Sequence, residues 1–365
     1  MRKFVALFVC LALILWAVCA IAKVTGPCAD CHTMHYSQNG KSDNYPAGGP
    51  FPSLTIGDCI GCHTGDVPVK GTNDEIPVVL RNSEPTGTGP NMSLAGGDFY
   101  WVGTGDDAKG HNVTGISGED QMGRTPPGWD PTDNAAKAYG VIANGETIWS
   151  KQLTCAGTYG CHGYHDEEND YRAIKGAHHG NDDCLKADTL DVSEQGTSTA
   201  TSYRFLYGIK GIEDKDWEYT AQDGSTDHNQ YYGVDGNTNQ TAPTISFLCA
   251  ECHGDFHADI QDGSVWIRHP TDIVLPAKGE YEKYNGGTGS ANPYSVLAPV
   301  GSDLSTGIRD TINPGSADAI VLCVSCHRAH GSEYDDILRW NYTGECEAGQ
   351  GDMTKCGCKV CHTEK

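Results

Sequence analysis

Methionine is scarce in these 365 residues: there are five, the initiator included. Aromatic residues make up only 8% of the chain, against 46 Gly and 17 Pro. A conventional apolar core would be thin, and such a composition builds loops and turns. Cations are also few: 25 Lys and Arg stand against 48 Asp and Glu, a formal charge of −23. Nucleic acid, which needs a basic surface, is excluded as a partner. Metal ions, mineral oxides and basic patches on other proteins are electrostatically favoured, with plain solubility as the duller account. No segment keeps helical periodicity for long, and no apolar run after residue 22 approaches the length of a membrane span. The acidic run Asp166–Asp170 lacks the spacing of an EF-hand and reads as solvated surface.

The N-terminus does hold one apolar run. Arg2-Lys3 precedes Phe4 to Ala20, and Ala20-Ile21-Ala22 is a small-x-small cleavage site. Residues 1–22 therefore read as a secretory signal peptide, with an uncleaved anchor as the alternative. The chain is then exported, to the periplasm, the outer surface or the extracellular space.

What is plentiful is cysteine and histidine, 17 and 15. Five times they fall as C-x-x-C-H: Cys28/Cys31/His32, Cys59/Cys62/His63, Cys249/Cys252/His253, Cys323/Cys326/His327 and Cys358/Cys361/His362. This is the attachment pattern of c-type haem. Two thiols add to the haem vinyl groups, and the adjacent His has just enough reach to ligate the iron. Paired C-x-x-C also suits zinc. A His after every pair, in an exported chain, argues for haem. Covalent haems would also supply the missing apolar interior, so the apo chain is not expected to fold.

A sixth site is proposed on Cys155, Cys161 and His162. Leu153–Gly163 reads LTCAGTYGCHG and looks like FLCAECHG (Phe247–Gly254) with three residues inserted between the thiols. The rival is a Cys155–Cys161 or Cys161–Cys184 disulfide, which export permits. The haem c count is thus five or six. Cys184, Cys346 and Cys356 remain, and Cys346–Cys356 suits a disulfide closing the loop before the last haem. Cys356 in place of Cys358 is the less favoured spacing.

Low-spin haems need a second axial ligand, and with so few Met the pool is His. Six His sit at attachment positions, which leaves nine. His35 and His330 follow an attachment His by three residues, and His165 and His257 are placed similarly. His111, His178, His179, His228 and His269 lie in the spacers. Of the adjacent pair His178/His179, one is expected to ligate.

CADCHTMH at Cys28 and CVSCHRAH at Cys323 are alike, and each is followed by another C-x-x-C-H-T. With FLCAECHGDFH and CVSCHRAHGS, these stretches resemble the multihaem c-type cytochromes of metal-reducing bacteria that carry doubled C-x-x-C-H motifs. LAGGDFYWV, LTCAGTYGCHG, KGAHH and SYRFLYGIKG extend the likeness over most of the chain after residue 22. The C-x5-C-H site departs from the common pattern. The resemblance implies extracellular electron transfer, with other c-type cytochromes or metals as partners. It also implies a homo-oligomer or filament in some relatives, where a His of one subunit ligates a haem of the next. The expected fold is mostly irregular coil organised by haem, with short helices at the attachment sites and a few small β-hairpins. Residues 23–184 are expected to form an N-terminal haem lobe and 185–365 a C-terminal one. The alternative to an electron carrier is a multihaem reductase of a small oxyanion, with one haem left open.

Overall fold

The computed structural model describes residues 27–33, 51–67, 76–85, 93–132, 139–179, 195–236, 243–257, 269–288, 291–347 and 355–364. The segment 1–22 expected to be a signal peptide, His35 and Cys184 lie outside them. Among the described residues no helix is long and apolar enough to cross a membrane.

Irregular backbone dominates, as the Gly and Pro content implies. Among the described residues the strands are two or three residues long and pair in twos. Three ribbons are antiparallel: β5 (Gly211–Ile212) with β6 (Gln230–Tyr231), β7 (Ile273–Val274) with β10 (Ile320–Val321), and β8 (Asn292–Pro293) with β9 (Thr311–Ile312). Two are parallel: β1 (Thr64–Gly65) with β2 (Leu80–Arg81), and β3 (Thr154–Ala156) with β4 (Gly160–His162). The longest described α-helix, Ile245–Cys252, runs for eight residues, and Thr244 caps it by accepting from the Phe247 N–H.

Phe99–Val102 reads as strand-like in sequence but folds as a helical turn, Tyr100–Gly103. The carboxylate of Asp98 takes the Tyr100 N–H at 2.8 Å, which starts the turn, and Trp101 and Val102 are buried by it. The other Asp98 oxygen is buried with no hydrogen-bond partner, and burial pushes the carboxyl up to about 6. An unfolded Asp ionises near pH 3.9, so the unfolded chain holds fewer protons between about pH 4 and 6 and stability falls as pH rises. Asp98→Asn should remove this loss. It is expected to add roughly 2 kcal/mol at pH 7 and nothing at pH 4, read from denaturant melts at both pH values.

The apolar residues form several small clusters, each packed against cysteines of the sequence motifs. Tyr284, Tyr294 and Trp340 gather around Cys326, Cys358 and Cys361. Phe247, Tyr203 and Leu322 pack on Cys161, while Phe99, Val102 and Val113 pack on Cys155. Contacts also cross between the two halves of the chain. Gly331 bridges to both Gly97 and Gly110. A Cβ at Gly331 would lie 2.6 Å from Asp98 O and 2.7 Å from Lys109 O, so only glycine allows this approach. Arg339 is buried and joins three segments by donating to Val324 O, Val296 O and Ala95 O.

Candidate haem-binding site

At each C-x-x-C-H motif the chain makes about one helical turn. Cys28–Cys31, Cys59–His63 and Cys358–Cys361 are α-helical, Cys249 and Cys252 end the helix Ile245–Cys252, and Cys323–Ser325 is a 3-10 turn. The N–H of His32, His253, His327 and His362 returns to the carbonyl of its own first Cys at 2.8–3.1 Å. Residues three apart share a face of such a turn, so both thiols point the same way and the His follows directly.

The C-x5-C-H site reaches the same end with different backbone. Cys155 lies on β3 and Cys161 on β4, and the register Thr154↔Gly160, Ala156↔His162 sets the two cysteines opposite each other. The inserted residues loop out, with Gly157 at φ +82. Neither cysteine is in a disulfide. Cys346 and Cys356, by contrast, are bonded to one another, as expected from the cysteine count.

Five attachment histidines each face a second histidine. Ring centroids are 6.0 Å apart for His32–His179, 6.4 Å for His63–His178 and 6.3 Å for His162–His330. They are 6.2 Å apart for both His111–His253 and His269–His362. A metal bound on two sides by imidazole nitrogens at about 2 Å, each about 1 Å from its ring centre, requires a separation of roughly 6 Å. Direct stacking would bring the rings far closer, as in His228–Tyr294 at 3.7 Å. Both His178 and His179 face an attachment histidine, where the sequence suggested one. The two adjacent side chains diverge toward different sites.

The outward nitrogens are anchored. Nδ1 lies 2.8–2.9 Å from a backbone carbonyl in His32 (Ser53), His63 (Pro77), His162 (Arg204), His253 (Pro127) and His327 (Asp336). His111 is held likewise by Ala329 O at 2.7 Å. A carbonyl at Nδ1 fixes the tautomer, leaving the Nε2 lone pair for a metal. Burial favours the same neutral form: it pushes His162 and His253 down to about 4 and His330 to about 3.

His32, His63, His162, His253 and His327 all line one connected cavity of about 3340 Å³, most of its surface apolar. A drug-sized ligand fills about 300–1,000 Å³, so the space suits several large flat apolar groups. The sites follow one another closely. His178 and His179 join the first two, and the thiols of Cys59 and Cys155 lie within electrostatic reach of one another, as do those of Cys249 and Cys323. Cys326 lies within electrostatic reach of Cys358.

His165, His228 and His257 do not face an attachment histidine. His165 pairs with Glu251 at 3.5 Å, both buried. His257 Nε2 meets Asp272 at 3.1 Å. Both nitrogens of His228 lie at carbonyls, Asn229 O at 2.7 Å and Arg309 O at 2.8 Å, which leaves no lone pair directed at a metal. His228 and His257 are thus held by hydrogen bonds, whereas both ring nitrogens of the buried His165 have no hydrogen-bond partner among the described residues. His327 faces no second histidine among the described residues. Sequence reasoning also passed over Arg328. It lines the cavity and donates to Leu94 O and Ala95 O. Burial pushes it down to about 10.

Fold and site together are similar to those of multihaem c-type cytochromes. No family profile matches the chain. Its sequence is similar to the C-type cytochrome OmcS of Geobacter sulfurreducens, 28% identical over 394 residues, covering 92% of this chain and 84% of that protein. Two solved structures share the fold. The outer membrane cytochrome S filament from Geobacter sulfurreducens matches with a TM-score of 0.50 at 19% identity, over 94% of this chain and 100% of that one. The OmcS nanowires of the same organism, solved by cryo-EM, match at 0.51 and 20% identity with the same coverage.

Proposed function

We propose that this chain carries electrons in extracellular electron transfer through a row of six covalently attached haems. The observation that carries the reading is the set of five histidine pairs with ring centres 6.0–6.4 Å apart. Cys28/Cys31, Cys59/Cys62, Cys155/Cys161, Cys249/Cys252 and Cys358/Cys361 attach haems ligated by His32/His179, His63/His178, His162/His330, His253/His111 and His362/His269. Cys323/Cys326 attach the remaining haem on His327. Haem supplies the one-electron couple. The chain supplies spacing, ligands and an apolar surround, and Arg328 offers a counter-charge for a propionate. Carriage of this kind needs no acid, base or substrate pocket. A reductive titration of the holoprotein should take up six electrons per chain, reversibly, with low-spin spectra from the five haems held between paired histidines. Turnover of nitrite or a similar oxyanion at one open haem would favour the reductase instead.

A second reading makes the chain a subunit of a filament. It is favoured by His327, whose distal ligand is not supplied by any described residue. We propose that a residue of a second copy supplies it; OmcS, to which the chain is similar, is solved as a filament. Separated monomers should then show about one sixth of their haem as high-spin, and that signal should vanish on assembly. Negative-stain microscopy of the same samples checks the link. Monomers that are wholly low-spin would contradict it. Acceptors of metal-ion or mineral type, and a location on the outer surface, fit the charge of −23 and the leader sequence.

A further inference from the structure

Three attachment histidines are held by one recurring backbone device. Nδ1 of His32 lies 2.9 Å from Ser53 O, and the next amide, Thr33 N–H, donates to Leu54 O at 2.8 Å. Nδ1 of His162 lies 2.9 Å from Arg204 O, and Gly163 N–H donates to Phe205 O at 2.7 Å. Nδ1 of His327 lies 2.8 Å from Asp336 O, and Arg328 N–H donates to Ile337 O at 2.8 Å. Two successive carbonyls thus take the ring and the amide that follows it. At two of the sites the grip continues on the other flank: Ile56 N–H donates to Cys31 O and Arg339 N–H to Cys326 O, each at 2.9 Å.

Both residues of every one of these turns are left-handed. The φ values are 59 and 55 for Ser53-Leu54, 49 and 61 for Arg204-Phe205, and 56 and 52 for Asp336-Ile337. Turns with two left-handed residues are normally built from Asn-Gly or similar pairs. Here none is glycine, and Leu, Phe and Ile are poorly suited to that region. Three dissimilar dipeptides converge on one disfavoured geometry at three sites of the same chemistry. A strained backbone persists where its surroundings over-determine it, and such places cluster at functional sites. His63 and His253 provide the internal contrast: their acceptors, Pro77 O and Pro127 O, are not part of left-handed pairs.

We propose that these three turns are positioning clamps. They fix the imidazole plane of His32, His162 and His327 and hold Nδ1–H on its carbonyl, which strengthens the iron-facing nitrogen as a donor and keeps the haem potential low. This rests on the haem reading above.

Leu54 gives the test, because its side chain is largely exposed, at 45%. Leu54→Gly keeps the left-handed turn. Leu54→Pro forbids it and also pushes Ser53 toward an extended backbone. Both holoproteins would be examined by low-temperature electron paramagnetic resonance and potentiometric titration. The glycine variant should superimpose on the parent. The proline variant should shift the low-spin g-values of one sixth of the haem and raise its midpoint potential. Unchanged g-values and potentials in Leu54→Pro would overturn the proposal, as would an equal shift in Leu54→Gly. Should Leu54→Pro fail to mature, Leu54→Val replaces it, since a β-branched residue resists positive φ. A smaller shift in the same direction is then expected, and no shift overturns the clamp. Haem counts from intact mass separate the two levels: fewer than six in the parent fails the haem reading, while six with no shift fails the clamp.

Discussion

His330→Ala is expected to open one haem iron in six. His330 faces His162 across 6.3 Å, and no other described histidine stands opposite His162. Its backbone bond to Gly96 O survives the change, so the loss falls on the side chain. About one sixth of the haem should become high-spin, bind carbon monoxide and rise in potential. His228→Ala is the matched control. It removes two hydrogen bonds and the stack on Tyr294, and should cost roughly 2–4 kcal/mol of stability with no change of spin state. Spectra that respond to His228→Ala and not to His330→Ala would reverse these assignments.

The second large effect is expected from Cys155→Ala with Cys161→Ala. The haem count should fall by one, and the loss should reach beyond the site. Cys155 borders the Phe99 cluster and Cys161 the Phe247 cluster, so two apolar groups would lose a shared packing surface. Small clusters cannot compensate for a void of that size, and the melting temperature should drop sharply. Cys155→Ala alone should leave a haem held by one thioether, visible as a red-shifted α band. A double variant with an unchanged haem count would make this pair of strands structural.

The motifs at the proposed sites were legible in the sequence because covalent attachment of a haem would be a local matter. Cys323, Cys326 and His327 must lie within one turn, and the spacing records it. The Cys346–Cys356 disulfide was legible by elimination once the attachment cysteines were set aside. The composition pointed to coil, because a chain with 46 Gly and few aromatics cannot build long packed elements. Which histidines face one another was not legible. His162 and His330, or His111 and His253, meet through folds of irregular chain that carry no periodic signal. Three further histidines, His165, His228 and His257, have similar sequence surroundings and a different fate. Their buried partners Glu251 and Asp272, and the carbonyls around His228, come from distant segments. Nor do Ser-Leu, Arg-Phe and Asp-Ile carry any turn signature. The left-handed backbone there is imposed by tertiary contact, against local preference.

The central claim is that six attachment sites each carry a haem. Intact mass of the mature holoprotein, with a pyridine haemochrome assay on the same sample, tests it most directly. The account predicts six covalent haems per chain. Five would return Cys155 and Cys161 to a structural role. No covalent haem, in a host competent to attach it, would contradict the account altogether.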